Sequence, residues 1–299
     1  MHFIICLAGP TASGKTELSL TLAEMYQAEI VSFDSRQFYK ELTIGTAKPN
    51  EKELSRIPHH FINYCSITEA LSAGTYAQKA YALIQKRRAI APLILVGGSG
   101  LYIRALLSGL DTMAEVPPEI RNWVIQEYHQ NGLTWLQEQV AKTDPVFWNG
   151  VDPQNPQRLM RALEVYKAHK KPYSSFLNQT PSKDRFNFIP LGLELAREEL
   201  YAAIETRVDR MMESGLLNEV DGLSQYAHLS PLKTVGYKEL FMHLQGNCSL
   251  DEAVAQIKQH TRNYAKRQIT WFKNQMQLQY FNPGDLPSIL SFINAHVSA

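Results

Sequence analysis

The stretch that decides the fold is residues 3–16, which read FIICLAGPTASGKT. Its apolar part, residues 3–8, is closed at once by Gly9 and Pro10, which is typical of a fully buried strand in a parallel sheet. The eight residues from Gly9 match the pattern G-x-x-x-x-G-K-[ST], and apolar residues at helical spacing follow over residues 17–26. A strand, a glycine-containing loop and a helix in this order form the setting that the pattern requires.

The pattern predicts a loop that binds phosphate groups. Its glycines let consecutive backbone N–H groups curl around phosphate oxygens, and the N-terminus of the next helix adds partial positive charge. Lys15 would reach the outer phosphate, and the Thr16 hydroxyl can ligate Mg²⁺. We therefore expect a diphosphate or triphosphate compound, with ATP among the candidates, at Gly9, Pro10, Thr11, Ala12, Ser13, Gly14, Lys15 and Thr16.

Strand and helix patterns alternate along much of the chain. Further strands are expected at 29–33 and 92–96, a helix at 76–88, and helices again from 201 to about 281. A later strand at 187–195 contains Pro190, which predicts an edge or irregular strand. The alternation favours an α/β fold with a P-loop nucleoside-triphosphate-hydrolase-like parallel sheet.

The middle of the chain has a different texture. From about residue 113 to residue 185, apolar residues recur at helical spacing and no clear strand pattern is found. We therefore expect a helical insertion domain at 113–185. The P-loop core with its C-terminal helices would then consist of residues 1–112 and 186–299.

Positive charge is local rather than general. The chain has 30 Lys and Arg against 29 Asp and Glu, a net charge of +1. Residues 253–284 contain no acidic residue and five cations: Lys258, Arg262, Lys266, Arg267 and Lys273. A second basic set is Arg158, Arg161, Lys167, Lys170, Lys171, Lys183 and Arg185, against Glu164 and Asp184. Together they favour an extended anionic ligand such as RNA, although a solvated basic helix face is an equally good explanation of either set alone.

Cysteine usage and hydropathy indicate the compartment. Cys6, Cys65 and Cys248 are far apart and form no C-x-x-C pair, so buried thiols in a reducing cytoplasm are expected. No apolar stretch approaches 18 residues, so no membrane span is expected.

Asp34 is the candidate catalytic carboxylate. Many nucleotide hydrolases carry an Asp at the end of a second apolar strand, but the strand expected at 92–96 runs into Gly97, Gly98, Ser99 and Gly100. Asp34 instead follows the strand at 29–33, at the edge where parallel sheets bind ligands. An isolated Asp there could simply cap a helix or close a turn, but beside a phosphate-binding loop it is placed to take a proton from an acceptor.

Blocks further along the chain make the sequence resemble the tRNA dimethylallyltransferase family. Besides residues 9–16, they are DSRQFY at 34–39, GTAKP at 45–49, VGGSGLY at 96–102, DPQNPQR at 152–158, RALEV at 161–165, VGY at 235–237 and YAKRQITWF at 264–272. The blocks run in order over nearly the whole chain, and in combination they are highly specific.

The resemblance implies transfer of a dimethylallyl group from dimethylallyl diphosphate to N6 of the adenosine just 3′ of a tRNA anticodon. It implies that Lys15, Thr16 and Arg207 bind the diphosphate with Mg²⁺, and that Asp34 accepts the N6 proton. Ser99 stands where the family commonly has Thr and keeps the hydroxyl. The resemblance also implies that the insertion domain contacts the tRNA. The residues implied to bind the anticodon stem-loop are Asp34, Ser35, Arg36, Gln37, Ser99, Gln157, Arg158, Leu159, Met160, Arg161, Leu232, Lys233, Thr234, Val235, Gly236 and Tyr237. A monomer is expected.

Other readings remain open on the residues alone. The main alternative is a P-loop small-molecule kinase with Asp34 as the base for a substrate hydroxyl, and others are a nucleotide-dependent RNA-binding switch or the same transfer to free adenine nucleotides. Arg36 could pair with Asp34 or contact RNA. The neighbours His59 and His60 are not expected to bind metal. Core packing is favoured over base stacking for Tyr264, Trp271 and Phe272.

Overall fold

The structure, a computed structural model, describes residues 2–69, 71–109, 115–177 and 184–298. Two compact units are present: Met1–Leu107 with Arg185–Ala299, and Ser108–Asp184. The insertion expected at 113–185 has nearly the bounds of the second unit, although its expected start lies outside the described residues, as does Lys183 of the second basic set. Within the described ranges, no helix is both long and apolar enough to span a bilayer.

The first unit is built on a parallel sheet. Its strands are β1 (Ile4–Ala8), β2 (Glu29–Ser32), β3 (His59–His60), β4 (Leu93–Gly97), β5 (Ile189–Leu193) and β6 (Gln279–Phe281). In the described ranges they form one sheet of order β3-β2-β4-β1-β5-β6, with every pairing parallel. The predicted α/β class is confirmed.

The helices in chain order are α1 (Lys15–Tyr26), α2 (Glu51–Arg56), α3 (Ala73–Arg87), α4 (Gly100–Leu107), α5 (Pro118–Thr143), α6 (Pro145–Trp148), α7 (Pro156–His169), α8 (Arg197–Glu213), α9 (Leu216–Asp221), α10 (Tyr237–Leu244), α11 (Leu250–Gln275) and α12 (Leu286–Val297). Short 3₁₀ turns lie at Ile44–Thr46, Tyr173–Phe176, Ser224–Tyr226 and Ser230–Leu232.

Alternation along β1 explains why both faces of the sheet are covered. Ile4 and Cys6 belong to one apolar cluster, whereas Ile5 and Leu7 belong to another. Successive side chains of a strand point to opposite faces, so the continuous apolar run of β1 is the pattern of a strand buried on both sides. The loop at 9–16 therefore lies at the carboxyl end of a central strand, in a sheet that is covered on both faces.

The sheet corrects two expectations about strands. The prediction that Pro190 marks an edge or irregular strand is wrong, because β5 pairs with β1 on one side and β6 on the other. The β6 pairing starts at Leu191, one residue after Pro190, so the missing N–H lies before that ladder begins. Helices were also expected up to about residue 281, but α11 ends at Gln275 and residues 279–281 form β6. Three residues are too few to show the alternation that predicts a strand.

The second unit is helical and has its own core. Val124, Leu136, Val140 and Leu163 are fully buried in one apolar cluster. The span of α5 is two helices that meet at Gly132, whose φ of 75° is left-handed backbone that favours glycine. The helical character expected for this part of the chain is found.

Candidate active site

The loop at residues 9–16 connects β1 to α1. Two of its residues have left-handed backbone, Ala12 with a φ of 62° and Gly14 with a φ of 80°, and Gly14 caps the N-terminus of α1. Alternation between right- and left-handed backbone forms a concavity of N–H groups that binds anions, and the helix N-terminus reinforces it. The local conformation is thus the one that the sequence motif predicts.

Ser13 supplies a direct sign that the loop is built for a ligand. Its side chain is buried, 1% exposed, and its Oγ has no hydrogen-bond partner among the described residues. Buried hydroxyls without partners are rare because they cost free energy. A Cβ on Gly9 would come within 3.1 Å of this oxygen, so glycine leaves the space around it open. A phosphate oxygen in the loop would supply the missing partner.

Lys15 folds back over the loop that contains it. Its Nζ donates to the Pro10 carbonyl oxygen at 2.5 Å. Burial lowers the pKa of Lys15 to about 7, with Asp34 acting against this shift and Arg207 adding to it. An ammonium group that is so poorly solvated is stabilised by any anion that enters the loop.

Arg207 joins this group from the middle of α8. Its guanidinium donates to the Thr46 carbonyl oxygen at 3.2 Å. Burial, with a further contribution from Arg36, lowers the pKa of Arg207 to about 10, against the effect of Asp34. Arg207 therefore stays charged at neutral pH, and the three cations Lys15, Arg36 and Arg207 share the surroundings of one carboxylate, Asp34.

Asp34 follows β2 in a tight turn. Its Oδ1 accepts from the Arg36 N–H at 3.1 Å, and its own N–H donates to Ser32 Oγ at 3.2 Å. The turn role considered from the sequence is therefore real, and it fixes the side chain in one orientation through a single oxygen. Gly97 allows this close approach, since a Cβ there would lie 2.8 Å from the Asp34 nitrogen.

One small cavity joins the loop to Asp34. Its lining contains both polar and apolar residues: Lys15, Thr16, Ser19, Ile30, Asp34, Gln37, Pro49, His59, Ile62, Val96 and Gly97. Lys15, Thr16 and Asp34 thus face one space. The cavity is small, but it brings a cation and the start of a helix next to a carboxylate able to accept a proton.

Ser99 connects the end of β4 to the residue after Asp34. Its Oγ accepts from the Ser35 N–H at 3.0 Å and lies 3.0 Å from the Ser35 Oγ. Tyr264 of α11 also lies here: burial, followed by the charge of Asp34, raises the pKa of Tyr264 to about 12, and its hydrogen bond to Ser99 acts in the opposite direction. The hydroxyl that the sequence keeps at position 99 is therefore used within the protein.

Arg36 does not make the side-chain pair with Asp34 that the sequence left open. Its guanidinium donates to the carbonyl oxygens of Gly45 at 2.9 Å and Val235 at 2.7 Å. The neighbouring Gln37 lies close to the same segment, with its Nε2 within 3.4 Å of the Thr46 carbonyl oxygen. Arg36 thus joins the 34–37 turn to two other segments that the sequence singled out.

The segment 232–237 is partly buried. The side chains of Leu232 and Tyr237 are fully buried, and the Tyr237 hydroxyl donates to Glu219 at 2.6 Å. Lys233 is exposed, whereas Thr234 and Val235 are half-buried. Those three are the side chains of this segment left accessible to a partner.

The candidate RNA contacts at 157–161 lie in the second unit, at the start of α7. Gln157 and Arg158 are exposed, Leu159 is buried in the core of that unit, and Met160 and Arg161 are half-buried. Arg161 is paired with Glu164 at 3.2 Å. Gln157 and Arg158 therefore keep the freest side chains of the group.

The basic face of α11 is largely compensated within the protein. Lys258 pairs with Asp209, Arg262 with Glu205, and Lys273 with Glu194, at 2.6–2.7 Å. Lys266 lies 5.9 Å from the centroid of the Tyr201 ring. The acidic partners come from outside residues 253–284, which is why that segment on its own indicated an uncompensated positive face.

The cluster of His59 and His60 behaves as a structural pair. His60 Nε2 lies 2.8 Å from Glu29 Oε2, and His59 Nδ1 lies 2.7 Å from the Ile57 carbonyl oxygen. In the described part of the chain, no three His, Cys, Asp or Glu side chains are grouped as a metal site.

Comparison with known proteins identifies the family. A family model described as IPP transferase matches residues 37–275, which is most of the chain. The chain belongs to the IPP transferase family. A relative named tRNA dimethylallyltransferase, from Flavobacterium johnsoniae, is 45% identical over 289 residues, 94% of each chain. A second, from Bacteroides thetaiotaomicron, is named tRNA dimethylallyltransferase 1 and is 42% identical over 98% of this chain and 96% of its own.

A solved member of the family has the same fold. The crystal structure of tRNA delta(2)-isopentenylpyrophosphate transferase from Staphylococcus epidermidis superposes with a TM-score of 0.70 at 35% identity, covering 99% of this chain and all of that one. The P-loop-like parallel sheet expected from the first residues of the chain is thus the fold of the family.

Two residues of this IPP transferase were missed by sequence reasoning. Glu219 of α9 accepts from the backbone N–H groups of Thr43, Ile44 and Gly45. Gln268 of α11 accepts a hydrogen bond from the Thr11 N–H in the 9–16 loop. Nothing in the sequence near Glu219 points to this role, whereas a glutamine on the buried side of an amphipathic helix is a signal that could have led to Gln268.

Proposed function

We propose that this chain transfers a dimethylallyl group from dimethylallyl diphosphate to N6 of the adenosine 3′ to a tRNA anticodon, releasing diphosphate. One observation carries the proposal beyond the family name: Asp34 lines the same cavity as Lys15 and Thr16, beside a loop with an unsatisfied buried hydroxyl. This arrangement sets groups that would bind a diphosphate ester next to a carboxylate that would take a proton from the nucleophile.

The loop and its cations would stabilise the leaving group. Cleavage of the allylic C–O bond leaves its electron pair, and hence negative charge, on the diphosphate. Free N–H groups of the 9–16 loop, together with Lys15 and Arg207, would stabilise that charge, and groups held in position before the reaction do this most effectively. Burial lowers the pKa of both cations by removing solvation of their charge. A bound anion would replace that lost stabilisation, which supports this role.

Asp34 would complete the reaction at the nucleobase. The adenine N6 lone pair is delocalised and weakly nucleophilic, so a bond from N6 to the allylic carbon forms as Asp34 takes the N6 proton. A base of this kind contributes ~10²–10⁴-fold. The target base must turn out of the anticodon stack, which costs a few kcal/mol, less in a loop than in a duplex.

Mg²⁺ fits the donor set of the site. The Thr16 hydroxyl at the start of α1 is an oxygen ligand, and the ion prefers oxygen ligands, keeps several waters and is commonly bound through substrate phosphates. When bound, the ion would neutralise charge on the diphosphate. A site that is completed by substrate oxygens needs no cluster of protein carboxylates.

The insertion domain and the accessible side chains at 157–158 and 233–235 are proposed to bind the anticodon stem-loop. We also propose a monomer that works in the cytoplasm. The kinase alternative is disfavoured by the family, and by the end of β4, where Gly98 and Ser99 occupy the position at which a metal-binding carboxylate is usual.

The test is mass spectrometry of tRNA after incubation with the enzyme and dimethylallyl diphosphate. We expect a mass gain of one dimethylallyl group on the nucleoside next to the anticodon, and release of diphosphate. A parallel incubation with ATP in place of the diphosphate ester tests the alternative. ATP consumption with phosphorylation of a small alcohol, and unmodified tRNA in both arms, would contradict the proposal.

A further inference from the structure

Gln268 joins two loops of the candidate site with one side chain. Its Oε1 accepts from the Thr11 N–H at 2.9 Å, and its Nε2 donates to the Gly98 carbonyl oxygen at 2.9 Å. The residue is 6% exposed. Both ends of the amide are therefore used by backbone groups, one in the phosphate-binding loop and one at the end of β4.

The residues around this contact are closely packed. A Cβ on Gly98 would overlap Gln268 Nε2, and a Cβ on Gly100 would overlap the Trp271 ring, which lies one turn further along α11. Because residues 98 and 100 have no side chains, α11 packs directly against the backbone of the loop that follows β4, residues 98–100, here called the β4 loop. Close packing of this kind passes a shift of the helix directly to the loop.

The β4 loop in turn holds the residue next to Asp34. Gly98 is followed by Ser99, whose Oγ receives the Ser35 N–H at 3.0 Å. Asp34 is itself held by the Arg36 N–H, one residue beyond Ser35. A continuous series of short contacts thus runs from Thr11 through Gln268, Gly98 and Ser99 to the turn that carries Asp34.

We propose that Gln268 is a positioning residue, which sets the phosphate-binding loop and the Asp34 turn at the separation that the transfer needs. The inference rests on the proposed function and adds a residue to it. Gln268 acts through its neighbours, because its amide is occupied by Thr11 and Gly98. The two halves of the amide have separable duties: Oε1 orders the phosphate-binding loop, and Nε2 holds the β4 loop and, through it, Asp34.

Two substitutions separate these duties. Gln268→Glu keeps an acceptor for Thr11 but sets a carboxylate oxygen against the Gly98 carbonyl, so we expect kcat to fall roughly 10- to 100-fold, the cost of slight misplacement of reacting groups. Its added negative charge beside the loop should also raise the KM for dimethylallyl diphosphate, while the loop itself stays ordered. Gln268→Ala loses both contacts, so we expect the same fall in kcat and in addition a rise of about tenfold in KM for dimethylallyl diphosphate. Gln259→Ala, at an exposed position of α11, is the matched control and should leave both constants unchanged.

Two further measurements keep the test decisive. Calorimetry with inorganic diphosphate should show weaker binding for both variants, through charge repulsion in Gln268→Glu and through loss of order in Gln268→Ala. Amide exchange over residues 9–16 separates the two causes and should rise only in Gln268→Ala. If the buried carboxylate prevents folding, Gln268→Met keeps the volume and should behave as Gln268→Ala.

Wild-type kcat and KM in Gln268→Ala and Gln268→Met, with only a lower Tm, would show that Gln268 merely packs and would overturn the proposal. Failure of the proposed function looks different: the wild-type enzyme would then modify no tRNA, while the diphosphate affinities and amide exchange would still report on Gln268.

Discussion

Single residues around Asp34 combine structural and chemical duties. The carboxylate closes its own turn through Oδ1 and also lines the cavity that Lys15 and Thr16 share. The hydrogen bond from the Arg36 N–H to Oδ1 stabilises this orientation of the side chain. Fixed orientation of a base in advance is what makes proton transfer efficient.

Asp34→Asn should therefore lower kcat by ~10²–10⁴-fold and leave tRNA affinity near that of the wild type, because the amide still closes the turn but cannot take a proton. Single-turnover kinetics and a filter-binding assay measure the two effects separately. Asp221→Asn, at an exposed position of α9, is the control. A collapse of tRNA affinity in Asp34→Asn would make Asp34 a recognition residue rather than the base.

The depressed pKa of Lys15 predicts the pH dependence of anion binding. With a pKa of about 7, the empty site loses the Lys15 charge as pH rises through 7. A bound diphosphate favours the charged form and raises that pKa. Binding at pH 8 should therefore take up a proton, and affinity for inorganic diphosphate should fall between pH 7 and 9, by up to about tenfold per pH unit.

Calorimetry in buffers of different ionisation enthalpy measures this proton uptake. Lys15→Arg serves as the reference. The diphosphate changes its own protonation in the same way with both proteins, but the arginine stays charged at every pH used. Equal proton uptake in the two proteins would show that Lys15 is already charged in the empty site.

At the scale of elements, α11 shows how an apparently basic helix is balanced by its neighbours. Its capping box at Ser249 and Glu252 starts the helix, and its acid-free remainder meets acidic side chains of α8 and of the residue after β5. Paired cations contribute less to binding a polyanion than unpaired ones, since their own partner must be displaced first. Lys266, which has no carboxylate partner among the described side chains, is the cation of this face best able to meet a phosphate.

Lys266→Ala should weaken tRNA binding and reduce the slope of log affinity against log salt by roughly one. Lys258→Ala, which removes a cation already paired with Asp209, is the matched comparison and should change the slope less. Both slopes come from binding measured at salt concentrations from about 50 to about 200 mM. Equal slopes in Lys266→Ala and the wild type would place this face of α11 away from the RNA.

At the scale of the whole molecule, the two units have separate cores. The sheet and its helices bury one set of apolar residues, and α5–α7 bury another around Leu136 and Leu163. The 9–16 loop, which is predicted to bind phosphate, and Asp34 both belong to the first unit. Binding of diphosphate should therefore not depend on the packing of the second.

Leu163→Ala should destabilise the second unit by about 2–5 kcal/mol, the cost of a large-to-small change in a core, and leave the affinity for inorganic diphosphate unchanged. Tryptophan fluorescence reports this unit, because three of the four tryptophans, Trp123, Trp135 and Trp148, lie in it. Leu22→Ala, in the core beside the sheet, is the reciprocal variant. Loss of diphosphate binding in Leu163→Ala would show that the two units fold as one.

Features carried by contiguous residues were predictable. An apolar run closed by Gly9 and followed by a P-loop pattern specifies strand, loop and helix through local backbone chemistry, and the structure has each of them there. The core packing favoured for Phe272 is also found, since that residue is 1% exposed. By contrast, β3 and β6 have two and three residues, so no period could reveal them; only the pairing edges of β2 and β5 create them.

Short stretches of sequence were therefore enough to predict the 9–16 loop, the α/β class and a candidate role for Asp34, because each depends on a few residues adjacent along the chain. The contacts that hold these parts in place arise only when distant segments pack together. Gln268 meets Thr11 across 257 positions and Gly98 across 170, and Arg36 meets Val235 across 199. Such partners are chosen by strand order and helix packing, which bring distant backbone groups within hydrogen-bonding distance and leave no local pattern behind.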